Sequence, residues 1–170
     1  MGEPWTICCT SLIKRDLYED NDLRFRTNFN YCEDFWMSLE LRLYSKRVAS
    51  IDDALYFYNR CNEGSITTRS QDLLQKDMER AYYAIFDSLY KRGVLDEYKK
   101  YLYWRILDTQ QGWLLDKNKF HNYLIFFPES ISELWSCPRV SLKRKIMIWC
   151  ITHHLKFIAE FMLSCYKLLR

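Results

Sequence analysis

The chain has 170 residues, 49% hydrophobic and 17% aromatic, with only 4 Gly and 3 Pro. That is enough apolar material for a real core in one domain or a compact part of one, and too little turn material for a hairpin-rich fold. A net charge of +3 with a pI of 8.4 argues against a nucleic-acid binder, and no nucleic-acid partner is expected.

Residues 11 to 21, "SLIKRDLYEDN", read as a short helix with Ser11 as N-cap and Leu12, Ile13 and Leu17 on its inner side. A loop, "DLRFRTNFNY", follows. From Asp34 to about Lys46, Phe35, Leu39 and Leu43 recur at i, i+4, i+8, which is one helical face. In "RVASIDDALYFYNR" the positions of Val48 and Ile51 and the Leu55/Phe57 versus Tyr56/Tyr58 alternation suggest two short strands around a turn at Asp52-Asp53. "CNEGSITT" reads as a loop.

From Ser70 the period becomes helical. Leu74, Met78, Ala81, Ile85 and Leu89 form one stripe, ended by Arg92 as last-turn cation and Gly93 at C′. A second helix spans about Leu95 to Leu115. Pro128 and Pro138 punctuate a looser stretch with a short helix near Ile131 to Trp135. A last helix starts at Ser141, where Ile148, Ile151, Leu155, Ile158, Met162, Cys165 and Leu169 alternate spacings of 3 and 4 as an a/d seam does. Residues 141 to 170 carry Lys143, Arg144, Lys145, Lys156, Lys167 and Arg170 against Glu160 alone, a net +5 that leaves −2 for the rest. This helix suits the core or a partner, and its basic lead-in makes peripheral membrane contact through 141 to 170 a second reading.

The seven Cys are odd in number and contain no C-x-x-C pair, which fits reduced thiols in a cytoplasmic protein. No basic segment followed by an apolar one opens the chain, and Lys156, Glu160 and Lys167 interrupt its most apolar stretch. Neither secretion nor a membrane span is expected.

Glu33 and Asp34 stand where a loop meets an apolar helix. Asn30 as N-cap with Glu33 three residues on would form a capping box, and Asp34 favours the positive helix end. The same place holds a carboxylate rigidly enough to accept a proton from a hydroxyl. Asp20-Asn21-Asp22 matches D-x-D, but at the end of a charged helix it reads as a solvated face. His121, His153 and His154 form no metal set, and there is no glycine-rich phosphate loop.

Together, "PWTICCTSLIKRDLYEDNDLRF", "NYCEDFWMSLELRLYSKRVASIDDALYFYNR" and "NEGSITT" resemble, in order, the C-terminal part of bacterial family-2 glycosyltransferases of the GT-A type over residues 4 to 68. The resemblance implies an α+β, mainly α fold: a remnant of the GT-A α/β fold with one helix and two short strands at 1 to 68, then a helical bundle at 69 to 170. It implies that Asp34 is the general base of an inverting displacement on an acceptor sugar hydroxyl, with Glu33 as its partner. Ser65, Asn62 and Thr67 correspond to the loop that closes over the donor diphosphate, and Trp5 to the acceptor side. The half that binds the nucleotide-sugar and its divalent cation, Mn or Mg, has no counterpart here, so the chain by itself is expected to be inactive. Its partners would be that half or a second copy, and a glycan acceptor. The alternative is a non-catalytic helical interaction module that retains an enzyme remnant.

Overall fold

The computed structural model describes residues 8–28, 31–53, 55–57 and 71–168. They divide into two compact units, Met1–Arg92 and Gly93–Arg170.

The first unit is built on α2, Glu33–Tyr44, packed against α3, Gln71–Lys91. The α3 stripe is the expected one: Leu74, Met78, Ala81, Ile85 and Leu89 are all buried. Against it α2 turns Phe35, Trp36, Met37 and Leu41, and the Phe35 ring meets Tyr82 edge-on at 5.7 Å. A 3-10 turn, Cys8–Thr10, and a short helix, α1, Arg15–Glu19, close on α2 from the other side. Helix α3 stops as its residues dictate, since Gly93 adopts φ 69°, a left-handed conformation that costs a residue with a Cβ roughly 1–2 kcal/mol.

Three expectations fail in this unit. There is no strand among the described residues, so the α+β fold with two short strands is wrong and the architecture is helical. Residues 45 to 53 and 55 to 57 are irregular, because a strand needs a neighbour to take its N–H and C=O groups and the described chain offers none. Helix α1 is half the expected length, its N-cap is Lys14, and Leu12 is 100% exposed rather than inward. The expected helix start is also displaced: α2 begins at Glu33, its N-cap is Cys32 at φ 65°, and the Cys32 side chain makes no capping bond. Glu33 is thus the first helical residue rather than the third, two positions too early to reach back. Asn30 lies outside the described residues.

The second unit is a helical cluster. Helix α4, Leu95–Thr109, continues as a 3-10 segment, Gln110–Leu115, so the predicted helix is present with a tightened last turn. After a 3-10 turn, Lys117–Lys119, comes a single helical turn, α5, Asn122–Ile125. A second 3-10 segment, Pro128–Glu133, packs closely on α4. Trp113 is the hinge of the aromatic core, edge-on to Tyr123 at 5.5 Å and to Phe126 at 5.4 Å. Buried Gln110 donates to the Phe126 carbonyl at 3.0 Å, and the Tyr123 hydroxyl donates to the Gln110 carbonyl at 2.7 Å.

The predicted last helix is two. Helix α6, Leu142–Thr152, ends at His153, and α7, Lys156–Leu168, begins three residues later. His154 adopts φ 62°, its N–H bonds the Ile151 carbonyl at 3.2 Å, and the Leu155 N–H bonds the Cys150 carbonyl at 2.7 Å. This is a Schellman cap with histidine where glycine is usual, so no sequence signal announces it. The break shifts the helical phase. Ile148 and Ile151 stay buried, but α7 buries Ala159 and Leu163 instead of Leu155, Ile158 and Met162.

Candidate functional site

The loop before α2 ends in a left-handed residue, which turns the chain so that Glu33 and Asp34 occupy the first helical turn. There the unpaired amides and the aligned peptide dipoles favour negative charge by ~0.3–1 kcal/mol per group. The next three residues, Phe35, Trp36 and Met37, are buried and fix the helix against α3. Asp34 itself is half-exposed, and among the described residues no ion pair claims its carboxylate.

The surroundings come from three elements. The Cys8 thiol reaches the Asp34 carbonyl at 3.6 Å and lies 3.4 Å from the hydroxyl of buried Ser38, one turn along α2. Tyr18, from α1, completes the group: burial raises its phenol above the ordinary value, and the nearby Cys8 thiol and Asp34 carboxylate raise it further. Burial raises the Glu33 carboxyl most, a hydrogen bond from its own backbone N–H works against that, and the charges of Asp34 and Asp77 raise it again. Asp77, on α3, lies 3.5 Å from Arg80, which also donates to the Asn28 carbonyl at 3.3 Å.

Two adjacent half-exposed carboxyls thus share one helical turn, Glu33 raised by burial and like charge and Asp34 lying near the Tyr18 phenol. A carboxylate so held can accept a proton from a hydroxyl brought alongside. The helix that carries it is locked at its far side by buried Glu40, which pairs with Arg92 at 2.8 Å and accepts a hydrogen bond from Ser88.

Of the residues named from sequence, Asp34 and Glu33 are therefore neighbours in one turn, whereas Trp5, Asn62, Ser65 and Thr67 lie outside the described residues. Sequence reasoning did not single out Cys8, Tyr18 or Ser38 as companions of Asp34, and no spacing rule connects positions so far apart. Asp22 of the D-x-D triplet sits at φ 47° in an exposed turn with Arg24 at 3.7 Å. Among the described residues no three His, Cys, Asp or Glu side chains converge as metal ligands would. No helix of the described residues is long and apolar enough to cross a membrane. No family model, curated protein or solved structure matches the chain.

Proposed function

We propose that the chain is the acceptor-side portion of a nucleotide-sugar-dependent glycosyltransferase, with Asp34 as the base that takes the acceptor hydroxyl proton during an inverting displacement. The observation that carries this reading is the position of Asp34: first turn of α2, half-exposed, with the Cys8 thiol and Tyr18 beside it. The ordered likeness of residues 4 to 68 to family-2 enzymes supports the same assignment, and extends it to Trp5 on the acceptor side and Ser65, Asn62 and Thr67 at the donor diphosphate. Glu33 is the partner of the base rather than a second base. The divalent cation and the nucleotide-sugar belong to a donor-binding half that must be joined to this chain, or docked on it, for turnover. Such a reaction consumes cytoplasmic sugar nucleotides, in keeping with the cysteine usage.

Sugar transfer from a panel of nucleotide-sugars with Mn²⁺ tests this, measured for the chain alone and for the chain fused to the polypeptide encoded upstream of it. The expected result is no transfer by the chain alone, transfer by the fusion, and a loss on the order of 10²–10⁴-fold in Asp34→Asn. A fusion whose transfer survives that substitution overturns the assignment of the base. A second reading, a non-catalytic interaction module, is favoured by one observation, the exposure of Val48, Ile51, Leu55 and Phe57. It is separated by the same experiment, because a module of that kind gives no transfer in either form.

A further inference from the structure

We infer that the α6–α7 hairpin carries a docking surface for an anionic lipid bilayer, independent of the chemistry proposed at Asp34. Helix α6 buries Met147, Ile148, Cys150 and Ile151 on one side. On the other side Leu142, Ile146 and Trp149, spaced i, i+4, i+7, are exposed by 66%, 38% and 36%. The His153 ring stacks on Trp149 of that outward stripe at 4.3 Å. After the Schellman cap, α7 adds Phe157 and Phe161, one turn apart and both more than two-thirds exposed.

An outward helix face of a water-soluble surface is ordinarily polar, and scattered apolar residues there need no account, but a periodic run on two successive helices does. Charge says what covers it. Residues 141 to 170 hold six cations and Glu160 as the only acid, whereas the rest of the chain is net negative. Lys143 and Lys156 are exposed, one on each helix of the hairpin, where they can meet phosphates. Their stems can lie along apolar surface while the ammonium groups meet headgroups, and an exposed indole favours the same interfacial depth. With 11 and 13 residues the helices are too short to span a bilayer, so they lie in its surface.

Cosedimentation of the full chain with vesicles tests the proposal, using phosphatidylcholine alone and phosphatidylcholine with phosphatidylserine at roughly 7:3. Binding is expected to the anionic vesicles only, and to be released by salt at about 0.5 M. Lys143→Gln with Lys156→Gln should lower the partition coefficient about 25-fold, fivefold for each cation. Ile146→Ser with Trp149→Ser should lower it at least tenfold, and Phe157→Ser with Phe161→Ser, on the other helix, repeats that test should the first pair melt early. No binding to anionic vesicles, equal binding to neutral ones, or binding that survives both the lysine and the apolar substitutions would overturn it. Retention on immobilised polyglutamate without vesicle binding would also do so, by showing an acidic protein to be the occupant.

Discussion

The Arg92 guanidinium lies 2.8 Å from the Glu40 carboxylate, across 52 residues of sequence, and its face covers the Tyr44 ring at 4.2 Å. Glu40 is almost wholly buried while Arg92 is a quarter exposed, so the cation is the partner that could find water and the carboxylate is the one that could not. Replacing Arg92 by Ala therefore strands a buried charge, and ~3–5 kcal/mol of stability should be lost in urea unfolding. The double change Glu40→Leu, Arg92→Met should recover most of it, because no charge is then left alone.

Asp34 contributes in the opposite sense. Its carboxylate is half-exposed and holds no ion pair among the described residues, so Asp34→Asn should cost no more than the ~0.3–1 kcal/mol that the helix N-terminus lends a negative charge. Thermal denaturation checks this before any assay of transfer is read.

Glu33 gives a pH dependence with a definite sign. Its folded-state carboxyl is raised above the unfolded value by burial and by Asp34 and Asp77, so the folded state binds the proton more tightly. That contribution is fully present below the unfolded carboxyl pKa, about 4.3, and is lost as pH rises through the folded one. The helix dipole favours the charged form, but burial and two like charges outweigh it here. As pH rises above about 4.3, the Glu33→Gln variant should therefore gain melting temperature relative to the wild type.

His154 holds a conformation that suits glycine. His154→Gly should stabilise the second unit by about 1 kcal/mol, since it relieves a Cβ in the left-handed region while both capping bonds come from the backbone. His154→Val should destabilise it, and the two melting curves should bracket the wild type.

The irregular segment after α2 leaves Val48, Leu55 and Phe57 in water, the last at 89% exposure, whereas Phe35 and Trp36 are covered by their own unit. At ~25 cal/mol per Å², a few hundred Å² of such surface is worth several kcal/mol of burial. Sedimentation across a roughly tenfold concentration range should show self-association, reduced by Leu55→Ser with Phe57→Ser. A strict monomer that binds no hydrophobic dye contradicts it.

The long periods were readable from sequence because burial on a helix repeats every three to four residues. Leu74 to Leu89 follow from that alone, and the stop at Gly93 from a C′ glycine. What the sequence hid were outcomes decided by distant or missing neighbours. Val48 to Phe57 has the alternation of strands, yet a strand exists only beside another. His154 breaks a seam whose periodicity runs on through it, since the Schellman bonds use only backbone atoms. At the candidate site the pair Glu33-Asp34 was visible as a motif, and its place in the first turn follows from the buried run behind it. Cys8 and Tyr18 were not visible, because what brings them to Asp34 is the packing of a 3-10 turn and α1 on α2.

The Glu40–Arg92 bond also sets an order of assembly. Ser88 and Arg92, which close on Glu40, come 48 and 52 residues after it, whereas the Gln110, Tyr123 and Phe126 bonds span only 13 to 16. On a ribosome the first unit can form α2 early but cannot secure it until the end of α3 has emerged, while the centre of the second unit closes almost as soon as it is made. The ion pair is therefore expected on the native side of the folding barrier. Its substitution should leave the refolding rate nearly unchanged and speed unfolding, which makes Arg92 a determinant of how long the folded chain persists rather than of how quickly it arises.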